Sequence, residues 1–315
     1  MKWLTAVMAG ALFFAACGKA ADPVPPRPSP TPTIAANVTA GTRTVTDMVG
    51  RPVRLTEEVR TVAAMSPAAA EFAAELGLEI LGRTTDTAET IAPGAKVTGS
   101  SLTPDFTAIA GLEPDLVIAD AAFHSGRTRD FEKFPYPVFV IKAATYGEVL
   151  ATLVALGEAT GRTAEAERVR SAIEARAAAV TLRARAQAGE PPKVLVVTGG
   201  GRDVFGGGST TYAGSLLEKL GAVNVLGAVP EGGPIPGFGV IEIAQVANTN
   251  PDVVLVLPSG QGGLAEQIRA EPAWAGTPAV RDGRVHELDV SLYLRAPGPR
   301  VAEALEELYG LLWPG

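Results

Sequence analysis

The sequence predicts an α/β protein made of two Rossmann-like α/β lobes joined by a single long helix, with a ligand cleft between the lobes. Three observations carry that expectation. The stretch EPDLVIAD at 113–120 recurs almost unchanged as NPDVVLVL at 250–257. Between the copies the apolar period lengthens to three and four residues over 146–186, the spacing of a helix. On either side of that segment short apolar runs alternate with helix-length segments. A chain of 315 residues, 47% of them hydrophobic, is long and apolar enough to bury two such lobes.

At the N-terminus Lys2 precedes an apolar run over 3–16 that is shorter than a comfortable membrane span, the pattern of an export signal. The run closes on Phe14-Ala15-Ala16-Cys17, which resembles a bacterial lipobox, where small residues admit the processing peptidase and the Cys17 thiol receives the lipid. The plainer reading, a secretory leader with an unmodified cysteine, stays open at this point. Cys17 is the sole cysteine, so the exported chain forms no internal disulfide and its body relies on core packing. Residues 18–42 are rich in Pro and small side chains, a tether that reaches about 70 Å at roughly 3 Å per residue. The division expected is therefore signal at 1–17, tether at 18–42, first lobe at 43–144, helical spine at 145–188 and second lobe at 189–315.

In the first lobe, 44–47 and 52–55 flank Met48-Val49-Gly50-Arg51 as a hairpin. A strand is expected at 61–65, then a helix opened by Ser66 as N-cap and Pro67 at its first position. Another strand falls at 80–82, and Thr103-Pro104-Asp105 starts a helix that leads into EPDLVIAD; 137–141, PVFVI, is a further buried strand. The spine follows, with Val149, Leu153, Leu156, Val169 and Ile173 on its apolar face and Gly157 and Gly161 as places for local breaks. In the second lobe, strands are expected at 193–197 and 284–288, with helices over 210–220, 240–247, 264–269 and 301–312. His286, in a strand pattern, reads as structural.

The repeat has a physical meaning. Pro114 and Pro251 end the helix before them, because proline disfavours helical geometry in the residue it follows, and the apolar run after each suits a strand covered on both faces. The likeness extends upstream at the same offset, with Asp105 on Glu242, Ile109 on Val246 and Ala110 on Ala247. Either the lobes share a duplicated architecture, or a common helix-strand joint has arisen twice.

Composition excludes several functions. A formal net charge of -7 with no basic run argues against a general nucleic-acid or anionic-membrane binder. With two histidines and no second cysteine, a direct Zn or Mn site is not expected, so a metal arrives already chelated. The glycine-rich 199–210 lacks the Lys of a phosphate-binding loop, and its glycines read as a tight turn with close backbone approach. No enzyme signature occurs; an extracytoplasmic hydrolase built on Ser209, His124 and an aspartate is a distant alternative.

From the hairpin TVTDMVGRPVRL through AAMSPAAAEFAAELGL, LEPDLVIAD, LGEATGRTAEAERV, LLEKLGAVNV, NPDVVLVL, EPAWAGTPAVRDGRVHELD and RAPGPR, the chain resembles the solute-binding proteins of ABC importers for iron chelates, haem and cobalamin. The resemblance covers nearly everything after the tether. It implies a ligand held between the lobes, small hinge motions, and delivery to a membrane permease driven by a separate cytoplasmic ATPase. It also implies a monomer held by a lipid anchor on the outer side of the cytoplasmic membrane or in the periplasm, with no cofactor of its own. Family members often carry a permease-docking Glu seven residues before each Pro; here those positions are Thr107 and Ala244. Asp105 and Glu242, two residues earlier, are the candidates to replace them, while the bland role of Asp105 is to complement a helix dipole.

Ligands of open α/β lobes meet loops at the carboxyl ends of strands and at helix N-termini. That rule selects Ser66, Thr84, Thr85, Ser100, Ser101, Phe123 and His124 in the first lobe, and Phe205, Ser209, Thr210, Tyr212, Phe238, Tyr293 and Arg295 in the second. Capping alone also accounts for Ser66. Haem would use Tyr212, Tyr293 or His124 as axial ligand, and cobalamin would favour aromatic walls, yet aromatics make up only 6% of the chain. A ferric siderophore, taken as an oxygen-rich anionic chelate bound by Arg, hydroxyls and helix N-termini, is the preferred ligand.

Overall fold

The two Pro-Asp joints occupy equivalent places in two sheets of the computed structural model, which describes residues 42–56, 58–200, 203–229, 233, 235–258 and 263–314. Cys17 and nearly all of the expected tether lie outside the described residues. In the first lobe β1 (Thr42–Thr46) and β2 (Pro52–Thr56) form an antiparallel hairpin. The strands β3 (Thr61–Ala64), β4 (Glu79–Arg83), β5 (Lys96–Val97), β6 (Leu116–Asp120) and β7 (Val138–Ile141) then pair in parallel in the order β5-β4-β3-β6-β7. Helices α1 (Pro67–Glu75), α2 (Phe106–Ala110), α3 (Ala121–His124) and α4 (Thr128–Lys133) connect them.

The residue before each proline takes the left-handed conformation, Glu113 at φ 51 and Asn250 at φ 52, and these are the only described non-glycine residues to do so. That turn aims the next residue at the neighbouring strand. The Asp115 carboxylate accepts from the backbone N–H of Arg60 and of Thr61, both at 2.9 Å, at the start of β3. Asp252 accepts from Lys193 N–H at 2.8 Å, at the start of the corresponding strand of the second lobe. Each aspartate thus fixes the register of a central strand pair.

In the second lobe β8 (Lys193–Gly200), β9 (Asp203–Gly207), β10 (Val223–Asn224), β11 (Phe238–Val240), β12 (Val253–Pro258) and β13 (Val285–Glu287) form one sheet, ordered β11-β9-β8-β12-β13, with β10 pairing β8 as well. Unlike the first sheet it is mixed, because β9 runs antiparallel to both of its neighbours, β8 and β11. The expected glycine loop is partly a strand: a Cβ on Gly207 would approach the Phe238 ring to 2.9 Å, and one on Gly206 would overlap Leu226. Glycine is what allows β9 to lie under these groups. Val240, expected in a helix, instead ends β11, paired with Phe205, and the helix that follows is short.

The spine is two helices, not one. In α5 (Tyr146–Thr160) the chain runs to Gly161, whose left-handed φ of 72 ends the helix, and α6 (Thr163–Arg185) follows. Gly157 does not break α5; it lets α6 approach, since an added Cβ would overlap the Ala166 methyl. The long bridge is α6 alone. The second lobe adds α7 (Tyr212–Leu220), α8 (Ile243–Val246), α9 (Leu264–Ala270), α10 (Pro278–Arg281) and α11 (Val301–Leu312).

Alternation along the strands divides the core. Leu116 and Ile118 of β6, Phe139 and Ile141 of β7, Val194 and Val196 of β8 and Val253, Leu255 and Leu257 of β12 all enter one cluster with Leu153, Leu156, Ile173, Ala177, Leu216 and Leu305. Their alternate neighbours along the strands, Val117 and Val140 in one lobe and Leu195 and Val256 in the other, build two separate outer clusters, the latter around the fully buried Trp274. One core is therefore common to both lobes. Gly157→Ala is expected to destabilise the protein by about 1–3 kcal/mol through overpacking against α6. Gly147→Ala, in the first turn of the same helix with open space around it, is expected to be neutral or stabilising by about 0.5 kcal/mol. Chemical denaturation of the two variants checks this, and equal effects would refute the close approach.

Candidate functional site

The carboxyl ends of β6 and β7 face the N-terminus of α7 across a cavity of about 400 Å³. Each wall follows from local sequence. Asp120, the last residue of β6, caps α3 by accepting from Ala122 N–H at 2.9 Å. Thr211 caps α7 by accepting from Gly214 N–H at 3.1 Å, which fixes Thr210 and Tyr212 beside the opening. The helix therefore begins two residues later than the expected start at 210. Phe123, Phe238, Leu257 and Tyr293 supply most of the remaining wall. On the other side of the 291–300 segment a second cavity of about 470 Å³ is bounded by Glu71, Glu75, Asp86, Arg295 and Arg300. A groove of about 480 Å³ beside β4 and β5, lined by Leu78, Ile80 and Leu112, belongs to one lobe only; it shares Ala74 and Ile91 with the second cavity and no residue with the first.

The structure brings together part of the expected set. Phe123, Thr210, Tyr212, Phe238 and Tyr293 line the first cavity, and Arg295 lines the second. Ser66, Ser101 and His124 do not face it, because they are buried and already bonded. The Ser66 hydroxyl donates to Asp120 Oδ2 at 3.0 Å and accepts from Ala69 N–H at 3.0 Å, which is the capping role. Ser101 donates through Oγ to Asp86 Oδ2 at 2.7 Å. Despite burial, which alone would raise it, the Asp86 carboxyl is held below its ordinary range by hydrogen bonds from Ser101 and Thr84. Thr84 is buried against Thr87, with hydroxyls 2.8 Å apart, and Ser100 pairs with Thr103 at 2.8 Å. Thr85 is exposed, Phe205 packs against the common core, and Ser209 N–H is bound to the Gly227 carbonyl at 2.7 Å; none lines either cavity.

His124 is a brace. Its Nδ1 accepts from the Asp120 N–H at 3.0 Å, so the other nitrogen carries the proton and donates to the Ser101 carbonyl at 2.9 Å. Burial lowers its pKa to about 4, and the ring stays neutral at physiological pH. A ring with both nitrogens engaged by backbone is available neither as a general base for Ser209 nor as an axial ligand. Tyr293 is committed likewise, its single hydroxyl proton donated to the Ala304 carbonyl at 2.9 Å with Glu307 Oε2 as the farther acceptor at 3.3 Å. The Tyr212 hydroxyl has no hydrogen-bond partner among the described residues. Burial, then the charge of Glu71, pushes this phenol above its usual range, which disfavours the phenolate that haem iron would require.

Three residues of the site were not singled out by sequence. Asp120 closes the floor of the first cavity, and burial raises its pKa to about 6. Its position as the last letter of EPDLVIAD, at the carboxyl end of a strand, was the available signal. Glu71 of α1 and Arg300, just before α11, join the lobes: the Arg300 Nε and Nη2 groups both reach Glu71 Oε1 at 2.9 Å, leaving Glu71 Oε2 buried and unpartnered. Burial raises the Glu71 pKa against the opposing Arg300. Asp105 and Glu242 are both exposed, and Asp105 accepts from Ala108 N–H at 2.9 Å, so it is at least the cap of α2. Among the described residues no group of His, Cys, Asp and Glu is placed to hold a bare metal ion.

Comparison with known proteins places this geometry. A family model described as periplasmic binding protein matches residues 62–292. The ferric dicitrate-binding periplasmic protein of Escherichia coli is 29% identical over 212 residues, 66% of this chain and 66% of the relative. The ferric citrate-binding protein YfmC of Bacillus subtilis is 21% identical over 207 residues, 65% of this chain and 63% of the relative. The chain thus spans just under two thirds of the length of these curated relatives. Among solved structures, the Staphylococcus aureus protein IsdE complexed with haem superposes with a TM-score of 0.70 at 19% identity, covering 81% of this chain and 99% of that one.

The Asp120 assignment is testable by pH. A carboxyl whose folded pKa is raised from 3.8 to about 6 contributes stability that is full below about pH 4 and lost as pH rises through 6. Asp120→Asn, which keeps the acceptor for Ala122 N–H, is expected to gain on the wild type across that window, by on the order of 2 kcal/mol at pH 7. Urea titrations at pH 4, 5, 6 and 7 give the difference, and a pH-independent one would remove the assignment.

Proposed function

The chain belongs to the periplasmic binding protein family, and on that footing we propose that it is the extracytoplasmic substrate-binding component of an ABC importer that captures a ferric siderophore and hands it to a membrane permease. The observation that carries this reading is the cavity of about 400 Å³ walled by both lobes at the carboxyl ends of β6 and β7 and the N-terminus of α7. A ligand held there touches both lobes. The ferric citrate relatives and the haem-bound neighbour support a chelated metal as the class of cargo. The committed state of His124 and Tyr293 favours a siderophore over haem. Titration of the purified protein with ferric siderophores, haem and cobalamin, followed by intrinsic fluorescence and by absorbance, is expected to give saturable quenching with a siderophore. A Soret shift with haem in place of it, or no binding of any chelate, would count against this reading.

Delivery needs an address and a partner. The proposed anchor is a lipid on Cys17, with 18–42 as tether, lobes at 43–144 and 189–315, and 145–188 between them; no described helix is long and apolar enough to cross a membrane. For docking, the exposed acids Asp105 and Glu242 stand one in each lobe, just ahead of the helix that leads into its Pro-Asp joint. The permease and its ATPase are the proposed partners, and the protein acts as a monomer. Combined Asp105→Lys and Glu242→Lys is expected to cut chelate uptake by cells about tenfold with ligand affinity unchanged. Cys17→Ser is expected to release the protein from the membrane fraction. Normal uptake by the double variant, or continued membrane retention without Cys17, would remove the respective assignment.

A further inference from the structure

The charges around the cleft point to a cargo more specific than a ferric siderophore. Among the described residues that line the first cavity the charged groups are Asp120, Lys142 and Glu148. Lys142 Nζ is taken by Glu148 Oε1 at 2.8 Å. Glu148 Oε2 also accepts from Ala144 N–H at 2.9 Å. Asp120 is left as the unbalanced charge: its oxygens accept from the Ser66 hydroxyl and Ala122 N–H, both neutral donors. The adjacent cavity offers no surplus of positive charge either, with Arg295 and Arg300 against Glu71, Glu75 and Asp86. What the described lining of the first cavity does present is a neutral donor, the Thr210 hydroxyl, on apolar and aromatic walls; the Tyr212 hydroxyl is itself buried.

An anion entering such a cleft gives up its hydration and meets no unpaired cation among the described lining residues, at a cost of several kcal/mol per charge, whereas a neutral chelate loses little. Ferric dicitrate is anionic and a ferric tris-catecholate carries three negative charges, but three hydroxamate monoanions neutralise Fe(III) completely. We infer that this cleft selects an electroneutral ferric tris-hydroxamate, with the Thr210 hydroxyl as a neutral donor to its oxygens, and that Asp120 acts as a specificity determinant that disfavours anionic chelates such as ferric citrate. This rests on the reading of the chain as a siderophore-capture protein and departs from the ligand named for its curated relatives. It also reverses the expectation of an anionic chelate held by arginine.

The test is a titration of the intact protein with ferrichrome, ferric dicitrate and a ferric tris-catecholate at pH 7.5, in low and in moderate salt. Ferrichrome is expected to bind at least about tenfold more tightly than either anion. Its affinity should be indifferent to salt, while that of the anions improves as salt screens the repulsion. Asp120→Asn is expected to narrow the gap, raising the dicitrate affinity about tenfold relative to that of ferrichrome. The wild-type order and its salt dependence stand as the test if that variant does not fold. Dicitrate or catecholate binding as tightly as ferrichrome overturns the charge selection while leaving siderophore capture intact. Failure of all three chelates overturns capture itself.

Discussion

Apolar contact that passes without interruption from the first sheet through α5 and α6 into the second sheet sets the distance between the lobes, and the cleft exists because of it. Ile118 and Phe139 in one lobe, Ile173 and Ala177 on the bridge and Leu255 and Leu305 in the other belong to the same cluster. A swing of one lobe about the other would open that cluster, and deleting even one such side chain costs roughly 2–5 kcal/mol. Large closure is therefore disfavoured by the same packing that makes the fold stable. Glu71 and Arg300 add a polar tie across the lobes, of a kind whose loss leaves a buried charge unpaired. Ligand recognition has to be built mainly into the resting walls of the cavity.

Those walls explain why residues with evident chemistry are not the residues that line the cavity. His124, Ser66 and Ser101 form a braced layer behind Asp120, tying the end of β6 to the start of α1 and to the loop before α2. Their polarity is consumed internally, so the cavity receives the Asp120 carboxylate and the paired Lys142 and Glu148 among hydroxyl-bearing, apolar and aromatic side chains. The rigidity of the brace keeps Asp120 buried, which is why its proton affinity is raised.

Much of this fold is legible in the sequence because it is encoded locally. The proline joints, the Ser66 cap, the hairpin around Gly50 and the unbroken apolar runs of β6 and β12 each depend on a few adjacent residues. What is not legible depends on distant partners. Whether Gly157 or Gly161 ends α5 is decided by Ala166 and by which glycine adopts positive φ. Whether 203–207 is loop or strand is decided by the presence of Phe238 and Leu226 above it. In the site, the strand-end rule located the two threshold elements but overweighted polar residues, since it could not see that Ser66 and Ser101 are satisfied by Asp120 and Asp86 and His124 by backbone. Asp120 was passed over as the end of a structural strand, although that end is where the cavity begins.

The hairpin has a mechanical consequence. Arg43, in β1, donates to the carbonyls of Glu158 and Ala159 at 2.7 and 2.6 Å, at the end of α5. The tip of the same hairpin is held on β7, where Met48 N–H meets the Val140 carbonyl at 3.0 Å and Arg51 reaches the Val138 carbonyl at 2.8 Å. Any tension transmitted along the chain ahead of Thr42 therefore enters at a clamped point, and the load passes into a helix end and a sheet edge before it reaches the walls of the cavity. A protein pulled from that end would keep its binding geometry until the Arg43 clamp gives way.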